Sequence, residues 1–406
     1  MSEPTPAPIS ADQLTGLKYL DRLSTLLQPL RPVGCDRDRA GNRTLFYDQY
    51  CSLLLLYLFN PIVTSLRGLQ QASQLDGVRK RLGVARASLG SLSEAARVFD
   101  PEALAGVVRD LTAELPDPSV IKPELRALAR TLVAVDGSFL KTLPQITQAG
   151  FATRKDRGWK LHAHFEVLRG VPVRVTLTDA AGTGGSNEKA VLKRTLEPDR
   201  CYVIDRGYEE FALFNAIVKA KSSYVGRIRG DRHFLATDPR QLTAGARAAG
   251  VIEDAVGVLG SAKSKRIEHP DHPVRRIVVR VDPHPKRGGP GRPAAGHVLV
   301  IVTDMLDVPA ELIAAIYRDR WMIELFFRTL KHLLGLRHLL STDPRGIMIQ
   351  TYCALIACLL IVLTTGRQPT KRTWELLCWY FLGVASDGEL LSHLSKLKGV
   401  AKETPA

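Results

Sequence analysis

The chain has 406 residues, of which 45% are hydrophobic and 24% are charged, so its composition excludes wholesale disorder and allows two or three folded units. Its 56 lysines and arginines outnumber its 41 acidic residues, and the formal net charge of +15 favours a polyanionic partner such as nucleic acid. The six cysteines include no C-x-x-C pair, which excludes a structural zinc site of that type and fits a reducing cytosol.

Residues 1–125 are predicted to form a helical N-terminal region that binds DNA. Leucine-rich periodic stretches run from Leu53 to Phe59 and from Glu102 to Leu115. The basic stretch from Asp76 to Phe99 fits either a helix-turn-helix or a solvated pair of helices, because charge on a helix face is usually its wet side. Both interpretations of that stretch stay open.

A period-two pattern in residues 126–224 predicts strands and the first part of a catalytic core. The first apolar run ends at Asp136, and the alternating segments 160–167 and 171–178 flank a turn, which predicts three antiparallel strands. A short helix follows, and then an apolar run that ends at Asp205. Three antiparallel strands followed by helix, strand, helix and strand predict an α/β fold with a ribonuclease H-like mixed sheet.

Residues 225–300 are predicted to form a basic β-rich insertion. They hold 14 lysines and arginines against 7 acidic residues, a net charge of 14 − 7 = +7, which favours a face that meets DNA. The bases expected on that face include Lys263, Lys265, Arg266, Arg275 and Arg276.

The core is predicted to resume in residues 301–370, followed by a C-terminal helical tail in residues 371–406. The segment Ile347–Thr365 has nearly the length of a membrane span, but three consecutive polar residues from Gln350 favour a buried core helix. No membrane contact is therefore predicted.

The strongest local signal is a polar stripe in Ile316–Lys331, which predicts one long amphipathic helix with Glu324 as the acid of the stripe. At 100° per residue, four polar side chains fall within an arc of about 60°, and Arg328 borders it. These four are Tyr317, Arg320, Glu324 and Lys331. The stripe could simply face water. A single carboxylate among several bases instead favours a site where the acid binds a metal and the bases bind phosphate.

Two further acids, Asp136 and Asp205, each follow an apolar run, where acids are commonly only turn or cap residues. In the predicted sheet, however, the first strand neighbours the fourth, so both carboxylates lie at one edge. Together with Glu324 they would repel one another unless divalent cations neutralised them, and Mg²⁺ prefers such oxygen ligands. Two such ions can activate a water or a 3′-hydroxyl in phosphoryl transfer.

The spacing of the stripe resembles the YREK signature of DDE transposases from the bacterial insertion-sequence-four-like family. The sequence DRGY from Asp205 resembles the second acidic motif of that family, and VDGS, which contains Asp136, resembles the first. The resemblance implies that Asp136, Asp205 and Glu324 are the catalytic, metal-binding triad, with Mg²⁺ as the cofactor and Mn²⁺ as a substitute. It implies DNA contacts by Tyr317, Arg320, Lys331, Arg328, Arg206 and Tyr208, of which the last two support the loop of the second acid.

The resemblance also implies a cut-and-paste transposase that cleaves at the terminal inverted repeats of its insertion sequence and joins the freed 3′-hydroxyls to target DNA. Its partner would be double-stranded DNA, both transposon ends and target, bound by a homodimer on the nucleoid in a bacterial cytoplasm. The alternatives are an inactive or domesticated DNA-binding protein and a stand-alone metal-dependent nuclease. Some members hold a flipped base on a Trp of the insertion; here Phe234 is the only aromatic residue between Tyr224 and Tyr317, so few hairpin ends are expected.

Overall fold

The computed structural model describes residues 25–35, 41–60, 62–115, 128, 130–141, 150–151, 157–260, 269–281, 297–335, 339–365 and 369–397. Within these residues, ten strands form one mixed sheet with helices on both of its faces. The prediction of a mixed α/β sheet is therefore confirmed.

Five α-helices lie between Tyr47 and Ala113. These are α1 (Tyr47–Phe59), α2 (Leu66–Gln74), α3 (Asp76–Leu82), α4 (Leu89–Val98) and α5 (Glu102–Ala113). Helices α2 and α4 begin where the side chains of Ser65 and Ser88 accept hydrogen bonds from backbone N–H groups three residues ahead. Helix α3 ends at Gly83, whose φ of +61° favours glycine. The described part of this region is helical, as predicted, whereas the bounds of the region and its DNA-binding role stay predictions.

The strands are β1 (Thr131–Lys141), β2 (Gly150–Phe151), β3 (Arg157–Glu166), β4 (Val171–Asp179), β5 (Arg200–Ile204), β6 (Ser223–Ile228), β7 (Phe234–Pro239), β8 (Val251–Leu259), β9 (Val274–Val281) and β10 (His297–Thr303). Their order in the sheet is β2-β3-β1-β5-β6-β10-β9-β8-β7, and β4 pairs with β3. The pairs β1 with β5 and β5 with β6 are parallel, and the other pairs are antiparallel. The predicted hairpin and the predicted neighbourhood of the first strand and the strand before Asp205 are both confirmed.

The strands of the predicted insertion extend the same sheet, because β10 pairs with both β6 and β9. Arg275 of β9 is only 3% exposed, and its guanidinium forms two hydrogen bonds of 2.7 Å with the carboxylate of Asp254 on β8. The expectation that Arg275 faces DNA is therefore wrong, because its guanidinium is buried and pairs with Asp254 inside the sheet. Arg276 pairs with Glu253. The other three expected bases, Lys263, Lys265 and Arg266, lie outside the described residues.

The remaining helices are α6 (Glu188–Arg194), α7 (Phe211–Lys219), α8 (Ala244–Ala248), α9 (Ala310–Asp319), α10 (Trp321–Gly335), α11 (Pro344–Thr365), α12 (Lys371–Phe381) and α13 (Asp387–Ser395). Along β1, Leu132 and Ala134 join a core with α5 and α9–α11, whereas Val133 and Val135 join a second core with α6 and α7. This alternation follows from the period of two in a strand.

Helix α11 is, among the described residues, long and apolar enough by composition to cross a membrane, with a mean hydropathy of 2.3. In the fold, 94% of its most apolar stretch is buried. The side-chain oxygen of Gln350 accepts a hydrogen bond of 3.1 Å from the N–H of Leu340, whereas its buried Nε2 has no partner among the described residues. The hydroxyl of Thr351 donates a hydrogen bond of 2.8 Å to the carbonyl of Ile347. The prediction of a buried core helix is confirmed.

Candidate active site

Asp136 and Asp205 lie where the parallel pairing of the central strands β1 and β5 ends, and this end of the strand pair is the edge of the sheet that carries the site. β1 and β5 pair in register from Thr131 opposite Arg200 to Ala134 opposite Val203, a constant offset of 69 residues. Asp136 and Asp205 have the same offset, 205 − 136 = 69, but lie two residues beyond the last pair; the charge of Asp205 acts on Asp136, so the two acids lie near each other.

The strand β1 does not end at Asp136, as the sequence predicted. It runs on to Lys141 because β3 pairs along its other side, with Ala163 opposite Asp136 and Gly158 opposite Lys141. The parallel partner β5 stops at Ile204, so the side of Asp136 that faces β5 is left without further strand pairing. Asp136 is thus fixed by a strand on one side and open to the site on the other.

Backbone N–H groups of the two motifs hold both carboxylates. The N–H of Gly137 donates to Oδ1 of Asp136 at 2.8 Å, and the N–H of Gly207 donates to Oδ1 of Asp205 at 2.7 Å. Burial nevertheless raises the pKa of Asp136 to about 6, and the negative charges of Asp205 and Glu188 add to this effect. The N–H of Gly137 and the charge of Arg320 oppose it. The pKa is raised mainly because burial penalises the charged carboxylate, and a bound cation would offset that penalty.

The predicted long helix is two helices that meet at Arg320, since α9 ends at Asp319 and α10 begins at Trp321. The N–H of Arg320 donates to the carbonyl of Tyr317 at 3.2 Å, and the N–H of Ile323 donates to that of Arg320 at 3.1 Å. Both bonds span three residues instead of four, which tightens the chain at this point.

Arg320 connects the helical stripe to the two aspartates. Its guanidinium donates to Oε1 of Glu324, lies 6.0 Å from the centre of the Tyr317 ring, and interacts with the charges of Asp136 and Asp205. Burial raises the pKa of Tyr317, whose side chain is buried, and the charge of Arg320 opposes this shift. The structure therefore places Glu324 and Tyr317 around Arg320, whose charge also acts on both aspartates.

The other predicted DNA contacts have different surroundings. Arg206 is exposed in the turn after Asp205, and Arg328 is exposed with its guanidinium 5.7 Å from the centre of the Trp321 ring. Tyr208 is 1% exposed, so its hydroxyl lies inside the fold. Lys331 belongs to α10, but its side chain lies outside the described part of the chain.

Sequence analysis missed Glu188, the first residue of α6, which lies at the same edge of the sheet. Its Oε1 is 2.7 Å from Nζ of Lys160, and its charge helps to raise the pKa of Asp136. The position of Glu188 after a glycine-rich turn that follows a core strand could have indicated a place near the strand ends. The local pattern, however, does not link residue 188 to residue 136.

Oxygen ligands are available at this edge, and their chemistry suits Mg²⁺. Among the described residues, no group of three or more His, Cys, Asp or Glu side chains is gathered closely enough to hold a metal ion. Positive charge among the acids comes from Arg320, which pairs with Glu324, and from Lys160, which pairs with Glu188. The chemistry of the oxygen donors fits a divalent cation, but the described acids are not gathered into one such group, and Glu324 is paired with Arg320.

A family model of the transposase DDE domain matches residues 128–360, which is more than half of the chain. The chain belongs to the transposase DDE domain family. The matched part of this transposase domain contains β1, β5 and α10, and hence Asp136, Asp205 and Glu324.

Two curated relatives are named as transposases. Over 204 residues, 50% of the chain, the sequence is 29% identical to y4zB of Sinorhizobium fredii and covers 52% of that protein. Over 204 residues it is 24% identical to a transposase named for insertion sequence element IS5377 of Geobacillus stearothermophilus, and it covers 48% of that protein. The match to each relative thus spans about half of the relative's length.

A solved structure of the piggyBac transposase synaptic complex with hairpin DNA also aligns with this transposase domain protein. The alignment covers 97% of this chain and 82% of that chain, with 11% identity and a TM-score of 0.39. At this TM-score the alignment does not define a shared fold.

Proposed function

We propose that the chain is a DNA transposase of the insertion-sequence-four-like, YREK type. In this proposal it cleaves DNA at the terminal inverted repeats of its own insertion sequence and transfers the freed strands into target DNA. The observation that carries the proposal is the pair Asp136 and Asp205 inside the family match. Asp136 lies on β1 and Asp205 directly follows the neighbouring strand β5, and Arg320, which hydrogen-bonds to Glu324, interacts with the charges of both.

The three carboxylates would hold Mg²⁺, or Mn²⁺ in its place. When bound, such ions activate the attacking water or 3′-hydroxyl and stabilise the leaving oxygen. The N–H groups of Gly137 and Gly207 orient the two aspartates for that task. Arg320 holds Glu324 beside them and keeps positive charge at the buried acids.

The DNA contacts proposed around this site are electrostatic. Exposed Arg206 lies directly after Asp205, and Lys331 lies on the helix that carries Glu324, so both are placed for phosphates of a bound end. Tyr317 and Arg320, which belong to the same polar stripe as Glu324 and Lys331, are proposed as further DNA contacts. Arg328, which is exposed on the same helix, is proposed as a further phosphate contact.

A ribonuclease H-like core is also part of the proposal. The order β4-β3-β1-β5-β6, with antiparallel pairing before β1 and parallel pairing after it, supports this fold. The net charge of +15 supports double-stranded DNA as the partner, at both transposon ends and target. A homodimer on DNA, in the cytoplasm and on the nucleoid of a bacterium, completes the proposal.

The test uses DNA that carries matched inverted repeats found immediately outside the gene, with a scrambled-repeat fragment as the control. With Mg²⁺, we expect cleavage at the repeats and joining of the new ends to a target plasmid, because the three acids are proposed to serve both steps. Binding without cleavage would indicate a domesticated DNA-binding protein. Equal cleavage of the scrambled fragment would indicate a nuclease, and either result would contradict the proposal.

A further inference from the structure

The carboxylate of Glu188 lies between the two acidic motifs, with one oxygen toward each. A Cβ atom built on Gly137 would come closer than 3.0 Å to Oε1 of Glu188, which real Cβ atoms essentially never do. A Cβ atom built on Gly207 would lie 3.9 Å from Oε2. These two glycines are the ones whose N–H groups hold Asp136 and Asp205, so Glu188 reaches the same edge as both aspartates.

Among the described side chains, the ion pairs at this edge involve fewer bases than there are acids. Glu188 pairs with Lys160 at 2.7 Å, and both side chains are about one quarter exposed, at 25% and 26%. Arg320 serves Glu324 as well as the two aspartates. Among the described side chains, ion pairs thus join two bases to this group of four carboxylates, and the glycine at position 137 leaves room for Glu188.

Tyr208 supplies an independent observation of an incomplete polar site. The side chain is 1% exposed, and its hydroxyl has no hydrogen-bond partner among the described residues. The hydroxyl interacts with the charges of Glu188, Asp136, Asp205 and Arg320, so it points at the acidic cluster. A buried hydroxyl without a hydrogen-bond partner destabilises the fold, and a water or ion commonly accounts for such a group.

We infer that Glu188 is a fourth acidic residue of the cation site, which faces a hydrated divalent cation beside Asp136 and Asp205. The inference rests on the proposed function, because the cation is the one that the proposed reaction needs. Mg²⁺ usually keeps several waters, so Glu188 acts as a positioning residue on the hydration shell of the ion. The hydroxyl of Tyr208 gains its missing partner from the same shell.

The test is calorimetric titration of Mn²⁺ into the full-length, metal-free protein without DNA. Glu188→Gln should weaken Mn²⁺ binding about 10- to 100-fold, which is the usual effect of losing a group that orients the ligands of a metal. Glu210→Gln is the matched control. Glu210 pairs at 2.5 Å with Lys193 of α6, the helix that begins at Glu188, but it is not among the acids that act on Asp136. This control should bind within twofold of wild type.

Asp136→Asn separates the inference from the proposed function. Unchanged affinity in Glu188→Gln, with a loss in Asp136→Asn, would overturn the inference and leave the proposed metal site standing. Unchanged affinity in both variants would overturn both.

Two further variants decide the question if Glu188→Gln does not fold. Gly137→Ala keeps all four acids but leaves no room for Glu188, and Tyr208→Phe removes only the hydroxyl. Both should weaken Mn²⁺ binding while unfolding in EDTA remains cooperative. Wild-type affinity in both of these variants would contradict the inference.

Discussion

Replacing Asp136 with asparagine should stabilise the metal-free protein at neutral pH. Burial, with Asp205 and Glu188 nearby, raises the pKa of Asp136 from 3.8 to about 6. The native state therefore keeps this proton to a higher pH than the unfolded chain, and stability is lost as the pH rises from about 4 to about 6. At about 1.4 kcal/mol for each pKa unit, the ionised carboxylate costs the native state about 3 kcal/mol at pH 7. Asparagine carries no such charge.

The assay is urea unfolding in EDTA at several pH values between about 4 and 8. The difference in free energy of unfolding between Asp136→Asn and wild type should be near zero at about pH 4 and reach about 3 kcal/mol in favour of the variant above about pH 6. Asp231→Asn, the same change at an exposed site, should stay within about 0.5 kcal/mol of wild type. Equal or lower stability of Asp136→Asn at pH 7 would refute the reasoning.

Three other predictions concern the charged side chains and the insertion. Arg275→Ser should destabilise the protein by about 3–5 kcal/mol, because it leaves the buried carboxylate of Asp254 unpaired. Arg280→Ser, at an exposed position, should change stability by less than about 0.5 kcal/mol. Equal effects of the two changes on urea unfolding would contradict this prediction. Lys331→Ala should weaken binding of cleaved ends more than Glu324→Gln does at one salt concentration, and equal binding would remove the phosphate role of Lys331. Denaturing gels should show few hairpin ends, and abundant hairpins that vanish in Phe234→Ala would contradict the expectation.

The parts of the fold that the sequence predicted are those with local signals. Alternating apolar residues predicted β3 and β4, and the order of elements placed β1 beside β5, with Asp136 near Asp205. The apolar character of Ile347–Thr365, with its internal polar residues, predicted a buried helix, and α11 is one.

The parts that the sequence did not predict depend on contacts between distant residues. Glu188 reaches the site through the packing of α6, and Gly137, whose missing side chain admits it, lies 51 residues earlier (188 − 137 = 51). Arg275 is basic in the sequence, but its pairing with Asp254 depends on the register of β8 and β9. The helix break at Arg320 has no neighbouring Gly or Pro from which it could be predicted. It consists of two backbone hydrogen bonds that span three residues instead of four.

The measurement that tests the central claim most directly is the rate at which 3′-hydroxyl ends are released from DNA that carries the repeats. It compares wild type with Asp136→Asn, Asp205→Asn, Glu324→Gln and the double variant of Asp136 and Glu324, with EDTA as the metal-free control. Since residues that act as one unit have strongly non-additive effects, each single variant should lose nearly all activity and the double variant should be no worse. Full activity in EDTA, or a wild-type rate in either aspartate variant, would contradict a metal site built from these carboxylates.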